Sequence, residues 1–397
     1  MGKKYTILQV HNFYQLPGGE DTVIENERRL LEERGHRVVR YCRDNKELQG
    51  FSLFRKLLLP VTTVFNPRTY RQVRRRIREE RVDIVHVHNT LNLISPSVYY
   101  AALAEGVPVV QTVHNFRLLC PGATFYRDGH VCEDCLRHGL GCAVRHSCYR
   151  GSRLQTLACV LSTKFHRMTG IYGKLNYICL TEFNREKLLK LKQIRPERLF
   201  IKPNFVEKPE GGPIFDGRKQ QLLYVGRLEK IKGTDLLLEA WEQVCRQTDA
   251  RLILCGSGPM EDWCREYIEH KNLTNIELAG RVPHEEVLER MTQARALVLP
   301  TQVYEGFPVT IIEAFSRGTP VIGTDLGNTG SLVKDGVNGL LFAPNSVQSL
   351  AEALMKCLQT DMEPLGRNAY HDYVNHYSEE ENHRMLAEIY SSVLAQP

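Results

Sequence analysis

Two glutamates, Glu305 and Glu313, stand with seven residues between them in the run Glu305-Gly306-Phe307-Pro308-Val309-Thr310-Ile311-Ile312-Glu313. Gly306 permits a tight turn, and Pro308 presets the backbone for the start of a helix. A helix opening there aims free backbone N–H groups, those of Val309 and Thr310 among them, at an incoming phosphate. One carboxylate then reaches a group beyond the phosphates while the other accepts paired hydroxyls on the near side. The bland alternative has Glu305 capping the helix and Glu313 in solvent. Ile311, Ile312, Ala314 and Phe315 around Glu313 weigh against it, because unpaired buried carboxylates are rare. A second run, Val225-Gly226-Arg227-Leu228-Glu229-Lys230-Ile231-Lys232-Gly233, adds cations. Gly226 and Gly233 let the backbone turn closely, and Arg227 and Lys232 supply a fork and a point charge, which suit a diphosphate better than a single carboxylate. Lys230 and Lys232 also admit the plainer reading of surface charges.

These runs need strands to deliver them. In the first half, Tyr5–His11, His36–Tyr41, Asp83–His88 and Val107–His114 read as apolar strands, with a helix from Thr22 to Arg34 closed by Gly35. The alternation breaks into a Gly- and Cys-rich insertion from Cys120 to Cys148 and resumes at Leu175–Thr181 and Leu199–Lys202. Pro203 to Gly217, rich in Pro and Gly, reads as a linker. Beyond it, Leu222–Gly226, Arg251–Cys255, Ile276–Ala279, Ala296–Pro300 and Pro320–Thr324 read as strands, with a helix from Thr234 to Arg246. Continuous apolar strands separated by helices predict parallel sheets covered on both faces. The expectation is two α/β domains, 1–205 and 206–377, with a final helix over about 378–397 free to return to the first domain. Ligands in such folds bind beyond the carboxyl ends of the strands, here in a cleft between two sheets.

The paired glutamates, the Gly-Arg-Leu-…-Lys-Gly loop and the Gly256-Ser257-Gly258-Pro259 turn resemble the retaining family-4 glycosyltransferases of the GT-B fold, built from two Rossmann-like open-sheet domains facing across a cleft. Gly280-Arg281-Val282-Pro283, Asp325 to Gly330 and Asp335-Gly336-Val337-Asn338-Gly339 belong to the same pattern. In the first domain the similarity rests on Pro17-Gly18-Gly19, Asp83-Ile84-Val85-His86-Val87-His88 and Thr112-Val113-His114-Asn115. The resemblance implies a nucleotide diphospho-sugar donor. Arg227 and Lys232 would take the diphosphate, Glu313 the ribose hydroxyls and Glu305 hydroxyls of the transferred sugar, with the backbone around Val282 facing the base. His114 would contact the donor sugar, the alternative being a satisfied histidine at a strand end. Gly18 and Gly19 would let the first loop approach the diphosphate and acceptor. Catalysis would need no metal: cations and the helix N-terminus stabilise charge where it grows on the leaving diphosphate. Retention implies same-face attack, the leaving phosphate accepting the acceptor's proton.

Cys132, Cys135, Cys142 and Cys148 form a four-thiol set, with Cys120 just upstream. Cys-x2-Cys is a recurrent zinc half-site, so structural zinc is one expectation, with His130, His138 and His146 as rival ligands and free thiols or a disulfide as alternatives. Arg68, Arg71, Arg74, Arg75, Arg76, Arg78 and Arg81 crowd one predicted helix beside the apolar Phe51–Phe65 segment. That is a solvated face or a surface for anionic lipid. No recognition motif supports nucleic acid.

The chain's 397 residues are 42% hydrophobic and 25% charged, which excludes disordered, collagen-like and coiled-coil classes. Its net charge of +6 conceals an asymmetry. Up to Phe205 there are 34 Lys and Arg against 18 Asp and Glu; the remainder holds 18 against 28. The halves therefore meet different partners. No apolar run spans a bilayer, no leader is evident, and twelve cysteines in that setting read as reduced thiols or a metal site. Met1-Gly2-Lys3-Lys4-Tyr5-Thr6 fits a myristoylation pattern, but Thr6 reads as the start of a buried strand. The expectation is a cytoplasmic enzyme, peripheral at the inner face of the membrane, moving a hexose-type sugar to a saccharide or lipid-linked acceptor in polysaccharide or glycoconjugate synthesis. Alternatives are a nucleotide-sugar epimerase, a sugar phosphorylase, or a non-catalytic nucleotide-sugar binding subunit.

Overall fold

The computed structural model describes residues 3–15 and 18–396. Pro17 of the first-domain loop and the Met1-Gly2 start of the myristoylation pattern lie outside the described residues. The chain divides into two compact units, one of 1–125, 132–204 and 382–397, the other of 126–131 and 205–381.

In the first unit, β1 (Thr6–Phe13), β2 (Arg37–Asp44), β3 (Ile84–Asn89) and β4 (Val109–Val113) join Asn176–Cys179 and Leu199–Ile201 in one parallel sheet. Its order is β2-β1-β3-β4 followed by those two strands. Ile7 pairs with Val38 on one side and Ile84 on the other, so β1 sits mid-sheet and is buried on both faces. Helix α1 (Gly19–Glu33) begins three residues earlier than its apolar spacing predicts, because the loop glycines themselves open it. It ends where expected: Gly35 takes φ +83°, and His36 N–H bonds Leu31 O. The helix Glu379–Leu394 packs Leu386, Ile389, Tyr390 and Val393 against Tyr5, Ile7, Ile84 and Ile178, completing this unit's core.

The second unit's sheet is also parallel and six-stranded. Its order is Ile276–Gly280, Arg251–Cys255, Lys219–Val225, Ala294–Leu299, Val321–Thr324, Gly339–Phe342. Two layers of apolar side chains cover it, one around Trp241 and Leu254, the other around Phe315 and Leu297. The strand order reverses beside Lys219–Val225, the switch point at which open sheets bind ligands beyond their carboxyl ends. The antiparallel hairpin Tyr126–Arg127 and His130–Val131, within the Cys-rich insertion, clusters with this second unit.

Candidate functional site

Both charged loops of the second unit leave the carboxyl ends of adjacent strands. Lys219–Val225 runs into Gly226 and Arg227, and Ala294–Leu299 runs through Pro300 to Glu305. Glycines make the packing of these loops possible. Gly233 has φ +70°, and a Cβ there would lie 1.9 Å from Pro300 O; a Cβ on Gly256 would lie 1.8 Å from Gly226 O. Gln302 N–H bonds Ile231 O at 3.0 Å and ties the two loops together.

That tie brings Lys232 to Glu305. Lys232 Nζ donates to Glu305 Oε1 at 2.7 Å, and Thr301 Oγ1 donates to the same oxygen at 2.7 Å. Asn328 Nδ2 holds the carbonyls of Glu305 and Gly306 at 2.7 and 2.6 Å. Glu305 is therefore not a cap: Pro308 occupies the N-cap of the helix Val309–Ser316, and the N–H groups of Val309 and Thr310 have no acceptor within the helix. Phe307 fixes the turn by packing its ring edge-on against Tyr377, centroids 6.3 Å apart. Arg227 extends into solvent, 58% exposed, its guanidinium 3.7 Å from Glu229. Lys232, the hydrogen-bonded Glu305 and the helix that opens after it thus stand at the carboxyl ends of two adjacent strands, with Arg227 exposed on the loop that carries Lys232.

Glu313 lies farther along that helix, half-buried, with Ile311, Ile312, Ala314 and Phe315 buried around it. Burial pushes its carboxyl pKa up, opposed by His284 and Arg317; His284 Nε2 is 3.5 Å away. A carboxylate so placed, with one exposed weak partner, retains acceptor capacity for hydroxyl groups. Val282 packs partly buried against the core beside the helix, and Arg281 Nε donates to Ser257 Oγ at 3.0 Å, linking the Gly280–Pro283 and Gly256–Pro259 turns.

The remaining predicted residues belong to the first unit. Gly18 is the N-cap of α1 with φ −133°, and Gly19 is its first helical residue. A Cβ on either would meet nothing within 4 Å, so neither conformation nor packing within the protein demands glycine there. Next to them, Glu20 accepts from Tyr14 OH at 3.0 Å, and burial pushes its pKa up to about 8. Asp21 accepts from His11 Nε2 at 2.8 Å.

His114 follows β4 directly. Its Nε2 lies 3.0 Å from His88 Nδ1 with the rings stacked. His88 Nε2 is 3.4 Å from Glu27 Oε1 and His86 Nδ1 3.2 Å from it, while Lys202 Nζ donates to Glu27 Oε2 at 3.1 Å. Burial opposes ionisation of Glu27, but the Lys202 ammonium and His86 outweigh it and hold the carboxyl well below its usual range. Burial, reinforced by the other histidines, pushes His88 down to about 3 and His114 well below the usual range, so both rings are neutral. Each can then donate from only one nitrogen, and the His88 contact selects which. Among the described residues, Glu27, His86 and His88 present ligand atoms within 4.8 Å of one another. The cation of that cluster is already Lys202, and both His86 nitrogens are taken by Tyr390 OH and Thr112 Oγ1 at 2.7 Å.

Sequence reading missed this network and the Tyr14–Glu20 pair. Two-residue spacing put His86 and His88 on one face of β3, which was a usable signal. Nothing in the sequence foretold that Glu27 and Lys202, 175 positions apart, would meet there.

No disulfide joins any of the twelve cysteines. Burial pushes Cys135 up to about 12, and the nearby thiols of Cys120, Cys148 and Cys142 add to the shift. Cys135 and Cys148 pack on the same small apolar cluster of Leu140, Ala143 and Val160. Cys132 N–H bonds Phe125 O at 2.7 Å. The structure thus adds Cys120 to the neighbourhood of the insertion's thiols. On α3 (Pro67–Glu80), Arg74 and Arg78 both pair with Glu105, and Arg76 donates to Arg40 O at 3.2 Å. Part of the basic helix is therefore structural.

Comparison with known proteins matches residues 17–208 to Glycosyltransferase Family 4 and residues 209–374 to Glycosyl transferases group 1. A 158-residue segment is 33% identical to glycogen synthase of Mycobacterium tuberculosis, covering 39% of this chain and 36% of that enzyme. The first curated relatives are matched over only about two fifths of their own length. A human phosphatidylinositol N-acetylglucosaminyltransferase subunit is 24% identical over 87% of this chain and 66% of its own length. Among solved structures, Anabaena HepE in complex with UDP superposes with a TM-score of 0.65 at 17% identity, over 97% of this chain and 99% of that one. With two parallel six-stranded sheets and both halves matched in order, the chain belongs to the group 1 and family 4 glycosyltransferases of the GT-B fold.

Proposed function

We propose that this glycosyltransferase moves a hexose-type sugar, with retention of anomeric configuration and without a catalytic metal, from a nucleotide diphospho-sugar to a saccharide or lipid-linked acceptor. The carrying observation is the Lys232–Glu305 pair, which joins the loop bearing Arg227 to the loop that opens the helix Val309–Ser316. Arg227, Lys232 and the N–H groups of Val309 and Thr310 bind the diphosphate and stabilise the charge that grows as the sugar–phosphate C–O bond breaks. Glu305 accepts sugar hydroxyls, Glu313 the ribose hydroxyls, and the backbone at Val282 meets the base. The acceptor oxygen bonds the anomeric carbon on the face the phosphate leaves, and its proton passes to the departing phosphate oxygen. Neutral His114, oriented by His88, holds a sugar hydroxyl. Gly18 and Gly19, open on the side a Cβ would fill, admit the diphosphate and acceptor closely. UDP in the HepE structure and the phosphatidylinositol-directed human relative support this donor and acceptor class. Such an enzyme works in the cytoplasm, building cell-surface polysaccharide or glycoconjugate. UDP-, GDP- and ADP-sugars tested by thermal shift and then by hydrolysis are expected to give one stabilising, slowly hydrolysed donor, with an axial or equatorial product matching its anomer by NMR. If no donor binds, or if the donor is epimerised without acceptor, the reading fails.

We also propose that Cys132, Cys135, Cys142 and Cys148 hold a structural zinc ion that staples the insertion, with Cys120 as a neighbouring thiol. Metal analysis of chelator-washed protein is expected to find about one zinc per chain, lost in Cys132→Ser/Cys135→Ser. Metal-free wild-type protein would overturn it.

A further inference from the structure

Helix α2 (Leu53–Val64) and the helix Arg153–Met168 pack side by side in the first unit. Their inner faces are joined by polar contacts: His166 Nε2 donates to Val64 O at 2.8 Å, and Ser162 Oγ donates to Thr63 O at 3.5 Å. The outer faces are apolar. Leu53, Leu57 and Val61 recur every four residues on α2, and Leu154, Leu161 and Met168 every seven on its neighbour. These are the spacings that align side chains on one helix face. Leu53 is 81% exposed, Leu57 77%, Leu154 80% and Met168 86%, and Phe54 and Phe165 stand beside them, also exposed. Large side chains scattered singly on a surface need no explanation, but two adjoining stripes form a patch of the kind that marks an interaction site.

The charged residues on the two helices and their flanking segments are all basic. No Asp or Glu occurs between Glu47 and Glu79 or between Asp134 and Glu182, whereas Arg55, Lys56, Arg153 and Lys164 lie on the two helices themselves. A second copy of this face would meet it with like charge, which disfavours self-association. An anionic bilayer offers the complement of both features: acyl chains for the leucines and phenylalanines, headgroups for the basic side chains. Among the described residues no helix is long and apolar enough to cross a membrane.

Beneath the pair lies a cavity. Thr63 of α2 and Cys159, Ser162 and Thr163 of the neighbouring helix line it together with His88 and His114. We infer that the outer face of α2 and the helix Arg153–Met168 seats on an anionic membrane, which sets the cavity lined by His114 behind the docked helix pair. Docking stands on the surface alone; the use of the cavity by a lipid-linked acceptor rests on the proposed function.

The test is flotation of the full chain with vesicles of phosphatidylcholine alone or with about 30% phosphatidylglycerol, without donor or acceptor, so that its result is independent of the transfer reaction. The wild type is expected to float with the anionic vesicles, at least tenfold less with neutral ones, and to be released in 1 M salt. Leu57→Glu/Leu161→Glu places two carboxylates on exposed positions, so its melting temperature stays within about 2 °C of wild type while anionic flotation falls at least tenfold. Absence of flotation by the wild type, equal flotation by the variant, or a wild-type dimer that the variant abolishes without any lipid binding would overturn the inference. A chain that floats as expected but hydrolyses no nucleotide sugar would leave the docking face standing and sink the functional reading alone.

Discussion

Replacing Lys232 with alanine separates what the Lys232–Glu305 pair does for folding from what it does for chemistry. The contact is short, 2.7 Å, but the lysine is 29% and the glutamate 15% exposed. Solvent screening therefore limits the pair to about 1 kcal/mol of stability. Glu305 also keeps its hydrogen bond from Thr301, so no carboxylate is stranded. A loss of about 1 kcal/mol lowers the melting temperature of a unit this size by about 2–4 °C. Catalysis is another matter. A cation placed where charge develops is worth about 3 kcal/mol in the transition state, or about 10²-fold in kcat. The expected result is a protein that folds and melts nearly as wild type yet turns over at least a hundredfold more slowly, with the larger part of the loss in kcat rather than KM. Lys232→Arg should recover only part of it, because the planar fork cannot occupy the position of the ammonium without displacing Glu305. Donor hydrolysis and acceptor transfer, followed with the donor found by thermal shift, read both constants. Turnover within threefold of wild type would refute the placement of the leaving diphosphate at Lys232 and Arg227.

Four further expectations rest on particular residues. Glu20, whose folded pKa of about 8 exceeds its unfolded value, binds more protons folded than unfolded over that interval. Stability from it is present below about pH 4.5 and is lost as pH rises through 8, by up to about 5 kcal/mol; Glu20→Gln should flatten that decline in denaturant titrations. Gly233→Ala and Gly256→Ala, whose Cβ atoms would collide with carbonyl oxygens, should each cost about 3 kcal/mol or more. Gly18→Ala, with open space around its Cβ, should change stability by less than about 0.5 kcal/mol and lower donor turnover instead. Lys202→Met should cost about 3–5 kcal/mol by removing the ammonium that offsets the buried Glu27 charge, and a Glu27→Gln/Lys202→Met pair should recover part of it in urea melts.

Periodicity and turn chemistry determined much of this molecule. The apolar runs at Tyr5–His11 and Leu222–Gly226 could only be buried parallel strands, and Gly35 could close α1, because each depends on neighbours a few positions away. The run from Glu305 to Glu313 and the loop from Gly226 to Gly233 announced anion chemistry for the same reason: turn, helix start and charge are local. Tertiary structure decided which local signals meet. It paired Lys232 with Glu305 across 73 positions of chain, gathered Glu27, His86, His88 and Lys202 behind His114, and spent Arg74 and Arg78 on Glu105 rather than on a ligand. It also turned the apolar segment at Leu53–Val64 outward and laid a second stripe beside it, which no window of sequence contains. Local propensity acts through one or two turns of chain. Burial, ion pairing and surface exposure depend on what the fold brings within a few ångströms, and that distance has no counterpart along the sequence.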